Sequence, residues 1–329
     1  MRKYLPAFSL ILIAVLVAEV LPGSAPMTQP ALLPFIVLIY GPGALLIRDV
    51  ARARSLGWTS ILLFGAAYGI LEEGIALQSL FNPALYHAAR WGRVGGINIV
   101  YAEAVIPIHA IWSAAVPILL TDLLFPEQRQ SPFFGRLGRI LTGVWYLLGL
   151  TLLALLTRLS IAPGFWARPA LLLTSGALAL TFILVALGLS PITKPTSRRP
   201  PGLLPTFLTT VAMALVWHFL LAGLWRFRPQ FATRPLMLAP MLLAAALLLA
   251  AYRCLSARVA AYRWTDQHWF SLAAGLVTAH MLFGILIFAQ SWLDRIATVA
   301  LGAAFLTTVY RQLTRRLDPT LRFATQKSV

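Results

Sequence analysis

The sequence is poor in charge and almost empty of cysteine. Only 11% of its 329 residues are Asp, Glu, Lys or Arg, against about 25% in a soluble domain, which excludes an ordinary soluble enzyme. The single cysteine, Cys254, excludes an intramolecular disulfide and any cysteine-based metal cluster. Acid is scarcer than base, with ten Asp and Glu against 27 Lys and Arg. Three catalytic signatures are missing as well: there is no His-Glu-x-x-His helix, no Gly-x-Ser-x-Gly turn and no phosphate loop. A net charge of +17 would suit a nucleic-acid binder. The cations lie between apolar runs rather than on one compact face, so nucleic acid is excluded as a partner.

What the sequence has is long apolar runs. Hydrophobic residues make up 59% of the chain and the mean hydropathy is +0.80. Runs near the roughly 20 residues that cross a bilayer recur throughout. The fold class expected is all-α: a polytopic transmembrane helical bundle of about ten spans, with the lipid bilayer as its surroundings. The spans are placed at 4–22, 31–47, 58–79, 97–121, 139–157, 169–189, 203–224, 235–252, 269–290 and 296–310. The first is longer than the apolar stretch of a cleaved leader and reads as a retained signal anchor. The whole chain, 1–329, is read as a single integral membrane domain. Within it, 1–125 carries the intramembrane acids, 139–310 is mostly apolar spans, and 311–329 is a basic cytoplasmic tail.

Placing the N-terminus inside puts Arg48, Arg52, Arg54, Arg129, Arg136, Arg139, Arg253, Arg258 and Arg263 in inner segments, together with the C-terminal cations. Few cations remain outside. This agrees with the positive-inside rule and predicts that both termini are cytoplasmic, in the cell membrane of a bacterium. The inner segment from Arg253 to His268 is basic and contains a tryptophan, which suggests an interfacial helix lying flat on the leaflet. Gly41-Pro42-Gly43 is expected to break or kink the second span, and Pro107 and Pro117 mark the fourth.

Within this apolar chain two adjacent carboxylates, Glu72 and Glu73, sit inside the third span. A carboxylate at mid-helix costs about 2.5–3.5 kcal/mol on the lenient insertion scale, so a pair is a pointer to function. At about 1.5 Å of rise per residue, Glu72 lies about 21 Å from the inner face, His218 about 22 Å, His280 about 17 Å and His109 about 10 Å. Glu103 enters from the other side to a similar level as Glu72. The candidate catalytic residues are therefore Glu72, Glu73 and His109, with Glu103, His218 and His280 as further members of one polar pocket. Glu19 is set aside because it stands near a helix end and can snorkel. Asp49 and Asp122 read as inner anchors. Each candidate also has a structural reading, as a carboxylate bonded to Tyr68 or an imidazole bonding between helices.

Glu72-Glu-Gly-Ile-Ala-Leu-Gln-Ser-Leu-Phe-Asn-Pro83, followed by His109-Ala-Ile-Trp-Ser113 and Pro117-Ile, resembles an uncharacterised bacterial multi-pass membrane protein family over residues 35–125. Glu72-Glu73 is also similar to the Glu-Glu-x-x-x-Arg helix of the CPBP (CAAX-protease-like) intramembrane peptidases, which use Glu and His to activate water. Leu77 stands where that family has Arg, and Ser113 stands in place of Asn four residues after His109. No histidine here has Phe four residues earlier. The resemblance implies a Glu/His intramembrane hydrolase acting on a peptide or small molecule. A proton-coupled secondary transporter, with Glu72, Glu73 and Glu103 as relay, is the alternative. A non-catalytic membrane scaffold is the third reading. The residues name no cofactor and no metal.

Overall fold

A computed structural model describes residues 2–25, 30–85, 92–189, 198, 200–232, 235–288 and 291–317. Tyr86, His87 and Trp91 of one loop, Lys194 of another and the tail 318–329 lie outside these residues. The chain is all-α, with a single two-stranded ribbon among the described residues. In hydrocarbon every backbone N–H and C=O must be satisfied within its own segment, so apolar runs of this length fold as helices.

Helix α1 (Leu5–Val15) is extended by a π-helical turn, Leu16–Val20. Then come α2 (Leu33–Ala53) and α3 (Trp58–Ile70), the latter ending in a π turn at Leu71–Ala76. A short ribbon of β1 (Arg93–Val94) and β2 (Ile97–Asn98) leads into α4 (Ile99–Ile108), a π turn (His109–Ala115) and α5 (Val116–Leu124), which together make one span. There follow α6 (Arg136–Leu156), α7 (Pro169–Gly188), α8 (Leu203–His218), the short α9 (Leu224–Phe227), α10 (Leu238–Ala261), α11 (Asp266–Ile287) and α12 (Trp292–Leu317). Among the described residues nine helices are long and apolar enough to cross a membrane, and Leu5–Val20 is a shorter tenth. The protein is a multi-pass membrane protein.

Burial separates centre from rim. The spans Trp58–Ala76 and Ile99–Leu124 are each 67% buried, whereas Leu238–Ala261 is 11% buried. The two central spans are therefore the ones that carry Glu72, Glu73 and His109. Two apolar cores flank them. One joins Ala14, Tyr40, Ile61, Tyr68 and Tyr146 from α1, α2, α3 and α6. The other joins Val17, Trp112, Trp217, Leu221 and Val277, with α8 and α11 packed face to face. Proline and glycine are used here to pack rather than to break.

That last point corrects an expectation. Gly41-Pro42-Gly43 does not interrupt the second span, because α2 runs unbroken from Leu33 to Ala53 with Pro42 inside it. A methyl group at Gly41 would come within 2.8 Å of Ile11 Cγ2, and one at Gly43 would run into the Tyr68 ring. These glycines let α1 and α3 approach. Pro42 has no N–H for the carbonyl of Leu38 four residues back, and Gly149 of α6 packs directly on that carbonyl.

The Arg253–His268 segment is likewise no separate interfacial helix. Arg253–Ala261 is the end of α10, and Thr265 caps α11, its side chain and that of His268 satisfying each other's backbone. No glycine or proline stands between Pro240 and Ala261 to stop α10. The last span is also longer than expected. Arg315 and Arg316 belong to the final turn of α12, where cations suit the helix dipole.

At the polar end where α2 meets α5, Arg48 is fully buried. Its Nε donates to Asp122 at 2.9 Å, and its other nitrogens donate to the carbonyls of Gln128 and Ser131. Arg52 donates to the second Asp122 oxygen at 2.7 Å. Asp49 accepts from the backbone N–H groups of Phe133 and Phe134 at 2.9 Å each. This network clamps the segment between α5 and α6 to α2.

Candidate functional site

The site begins with how α3 ends. Its π turn carries Glu72 and Glu73, and such widened turns occur frequently at functional sites. Leu77 N–H still reaches the Glu72 carbonyl at 2.8 Å. The next residue, Gln78, has φ +55°, the left-handed region that few residues other than glycine adopt. Its side chain is clasped, with Oε1 accepting from the Ala167 N–H at 2.8 Å. This reversal returns the chain so that Ser79 faces Glu73. Ser79 Oγ donates to the Glu73 carbonyl at 3.1 Å and is also bonded to its Oε2.

Glu73 is then held from two more sides. Tyr101 of α4 donates its hydroxyl to Oε2 at 3.0 Å. His109 Nε2 lies 3.1 Å from Oε1. The other ring nitrogen of His109, Nδ1, lies 3.1 Å from Ser113 Oγ and 3.7 Å from Glu72 Oε2. One imidazole thus stands between two carboxylates. Glu72, Glu73 and His109 are each 3–5% exposed.

Glycines bring these groups together. Gly65 and Gly69 form a Gly-x-x-x-Gly face on α3, a pattern that lets membrane helices approach closely. A methyl at Gly69 would lie 2.8 Å from His109 Cβ, and one at Gly65 would lie 2.7 Å from Ala110 Cα. Gly74 does the same for Ser175 of α7. Between Pro107 and Pro117, neither of which can donate to the carbonyl four residues earlier, the helix widens into the His109–Ala115 turn. That turn presents His109 to one core and Trp112 to the other.

Around Glu72 the wall is phenolic. Tyr40, Tyr68 and Tyr146 all lie in its electrostatic range. The Tyr68 ring sits 5.4 Å from His109, 5.9 Å from Tyr40 and 5.5 Å from Tyr146. Glu72 and the Tyr68 hydroxyl lie close enough to interact with each other, and the Tyr146 hydroxyl is buried with no hydrogen-bond partner. Buried polar atoms are nearly always paired, so the unpartnered Tyr146 hydroxyl beside the Glu72 carboxylate leaves capacity for a further polar group on this wall.

The other expected members go elsewhere. His280 Nδ1 lies 3.2 Å from His218 Nε2, so the two imidazoles pair with each other. They are walled by Trp112, whose ring is 4.9 Å from His218 and 4.7 Å from His280, and by Phe283 at 4.3 Å from His218. Glu103 lies about 200° around α4 from Tyr101, away from Glu73, with Oε1 buried and unpartnered. Depth counted along straight helices put His218 and His280 level with Glu72 and His109 below it. Packing seats His109 against Glu73 and bonds the other two imidazoles to each other, with His280 still in electrostatic range of His109.

Glu19, discounted in the sequence, stands at the edge of the site. It is half-buried, accepts from Ser24 Oγ at 2.7 Å, and has Tyr40 beside it and His109 within electrostatic range. A π turn puts it there, and no residue pattern announces that turn. Tyr68 was expected beside the carboxylates, but Ser79, Tyr101, Tyr40 and Tyr146 escaped notice as members of the site, because hydroxyl-bearing residues are ordinary in membrane helices. Among the described residues no group of three or more His, Cys, Asp or Glu is arranged to hold a metal ion.

The matched family agrees with this architecture. A family model described as an uncharacterized membrane protein family matches residues 8–316. The chain belongs to that family. The match takes in every span from α1 to α12, so the Glu-Glu turn and His109 lie within the family's shared region. No curated protein and no solved structure matches the chain.

Proposed function

We propose that the protein is a Glu/His intramembrane hydrolase of CPBP-like type, set in a bacterial cell membrane with both termini cytoplasmic. The observation that carries this reading is the buried Glu72 Oε2, 3.7 Å from His109 Nδ1 and walled by the hydroxyls of Tyr68 and Tyr146. A water bound there would donate one hydrogen to Glu72 and be oriented by His109. Glu72 is then the general base. As the water oxygen attacks a substrate carbonyl, its proton passes to Glu72 and the carbonyl oxygen becomes an oxyanion. The hydroxyl of Tyr146, which has no acceptor of its own, suits that charge. When the tetrahedral adduct collapses, the C–N bond breaks and the proton goes from Glu72 to the leaving amine. Glu73, with its three donors, fixes the imidazole and is a positioning residue.

A second reading is supported by Glu19. The series Glu19, Tyr40, His109, Glu72 and Glu73 runs inward from a half-buried carboxylate, as a proton relay in a coupled transporter would. Two assays separate the readings. A library of membrane-embedded peptides in proteoliposomes, read by mass spectrometry for new termini, should show cleavage that Glu72→Gln abolishes. If no cleavage occurs and a solute panel instead shows pH-driven uptake lost in Glu19→Gln, the transporter reading replaces this one.

A further inference from the structure

Three buried donors are left over where α3 hands the chain to α4. Asn82 is 2% exposed and Asn98 is fully buried. Each has its amide orientation fixed by a bond it accepts: Asn82 Oδ1 from the Ala84 N–H at 2.9 Å, and Asn98 Oδ1 from the Tyr101 N–H at 3.4 Å. Their Nδ2 groups are therefore the free ends, and both are buried without a partner, as is Arg93 Nη1. Arg93 stands opposite Asn98 in the ribbon, so their side chains share a face.

Backbone bonds tie all three to one turn. Arg93 Nη2 donates to the carbonyls of Phe81 and Gly96 at 2.6 and 2.7 Å, and the Asn98 N–H donates to Leu80 at 2.8 Å. Asn82 also lines a shallow hollow of about 490 Å³ whose other walls include Pro83, Ile161, Pro163 and Phe165. Among the described residues no carboxylate lies within ion-pair distance of Arg93. Burial lowers the pKa of this guanidinium from its ordinary value.

The leftover groups are all donors, one of them cationic. A guest that satisfies them must offer several acceptor oxygens and negative charge. The turn joins two spans, so it lies at a membrane face, level with phosphate headgroups. We propose that Arg93, Asn82 and Asn98 bind a phosphate group at this face. The site does not depend on the chemistry assigned to Glu72, and binding alone tests it.

The full-length protein in neutral detergent is titrated, at constant ionic strength, with dioctanoylphosphatidylglycerol, with dioctanoylglycerol as the phosphate-free control, and with inorganic phosphate. The apparent Tm is followed, since a ligand that binds the folded state raises it. The expected result is a saturable rise with the phospholipid and none with dioctanoylglycerol. A matching rise with inorganic phosphate would identify free phosphate as the source, and a rise with the lipid alone would identify a headgroup. Asn82→Asp and Asn98→Asp keep the accepting oxygen and turn the donor into a repelling acceptor. Each, read against its own ligand-free Tm, should raise the half-saturating concentration at least tenfold. No response of the wild type to either phosphate compound, an equal response to dioctanoylglycerol, or Asp variants that titrate like wild type would overturn the proposal.

Discussion

Glu73 should tolerate glutamine and not alanine. In the folded protein its carboxylate takes donors from His109, Tyr101 and Ser79. Hydrogen bonds to a charged group contribute about 1.5–3 kcal/mol each and neutral ones about 0.5–1.5. With Glu73→Gln, Oε1 still accepts from His109, and the new amide N–H group faces two hydroxyls that can turn to accept. The bonds weaken without being lost, and the cost of holding a carboxylate out of water, several kcal/mol, is relieved. The net effect on stability is within about 2 kcal/mol. Glu73→Ala deletes all three bonds and leaves the buried His109 nitrogen facing a void, which costs about 1–3 kcal/mol more. The two variants should therefore differ by about 3–7 kcal/mol. At about 2 °C per kcal/mol, purified Glu73→Ala should unfold at least about 6 °C below Glu73→Gln, or fail to accumulate. Thermal unfolding in one detergent checks this. Equal Tm values for the two variants would refute the account of Glu73 as a triply bonded positioning group.

Other expectations follow from the same geometry. Gly69→Ala puts a methyl 2.8 Å from His109 Cβ, and the overpacking of about 1–3 kcal/mol outweighs the gain in helix propensity of about 1; a modestly lower Tm with a large loss of activity is expected, and full activity would show that the contact does not position His109. Arg48→Met breaks a buried ion pair and abandons two carbonyls, costing about 3 kcal/mol because Asp122 keeps Arg52 and Asp49 keeps its two backbone donors; unfolding in detergent measures it, and a neutral result would contradict the clamp. His280→Phe should retain catalysis in the cleavage assay, since its imidazole bonds to His218 and stacks on Trp112 rather than bonding to Glu72 or Glu73; a loss as deep as that of Glu72→Gln would place the pair in the reaction.

The bundle could be read from composition because lipid leaves helices as the one folding option for such runs, and the length of the apolar runs placed the spans. Glu72 and Glu73 announced themselves by the cost of burying them. What the residues could not disclose was helical phase. Five π turns among the described residues, at Leu16–Val20, Leu71–Ala76, His109–Ala115, Thr157–Ile161 and Phe219–Gly223, each shift the faces that follow, and the first three bring Glu19, Glu73 and His109 towards one site. Ser79 joins only because Gln78 takes a left-handed conformation that a side-chain pattern does not advertise. Gly41-Pro42-Gly43 misled in the opposite direction, since the same residues that can break a helix also let two helices touch.

The central claim is that Glu72 activates a water. Proteoliposomes holding a cleavable membrane peptide would be run in water enriched in oxygen-18, with wild type and Glu72→Gln side by side. The account predicts one heavy oxygen in the new carboxyl group of the wild-type product and no product from Glu72→Gln, whose Tm stays near wild type. Labelled product from Glu72→Gln at the wild-type rate would contradict it.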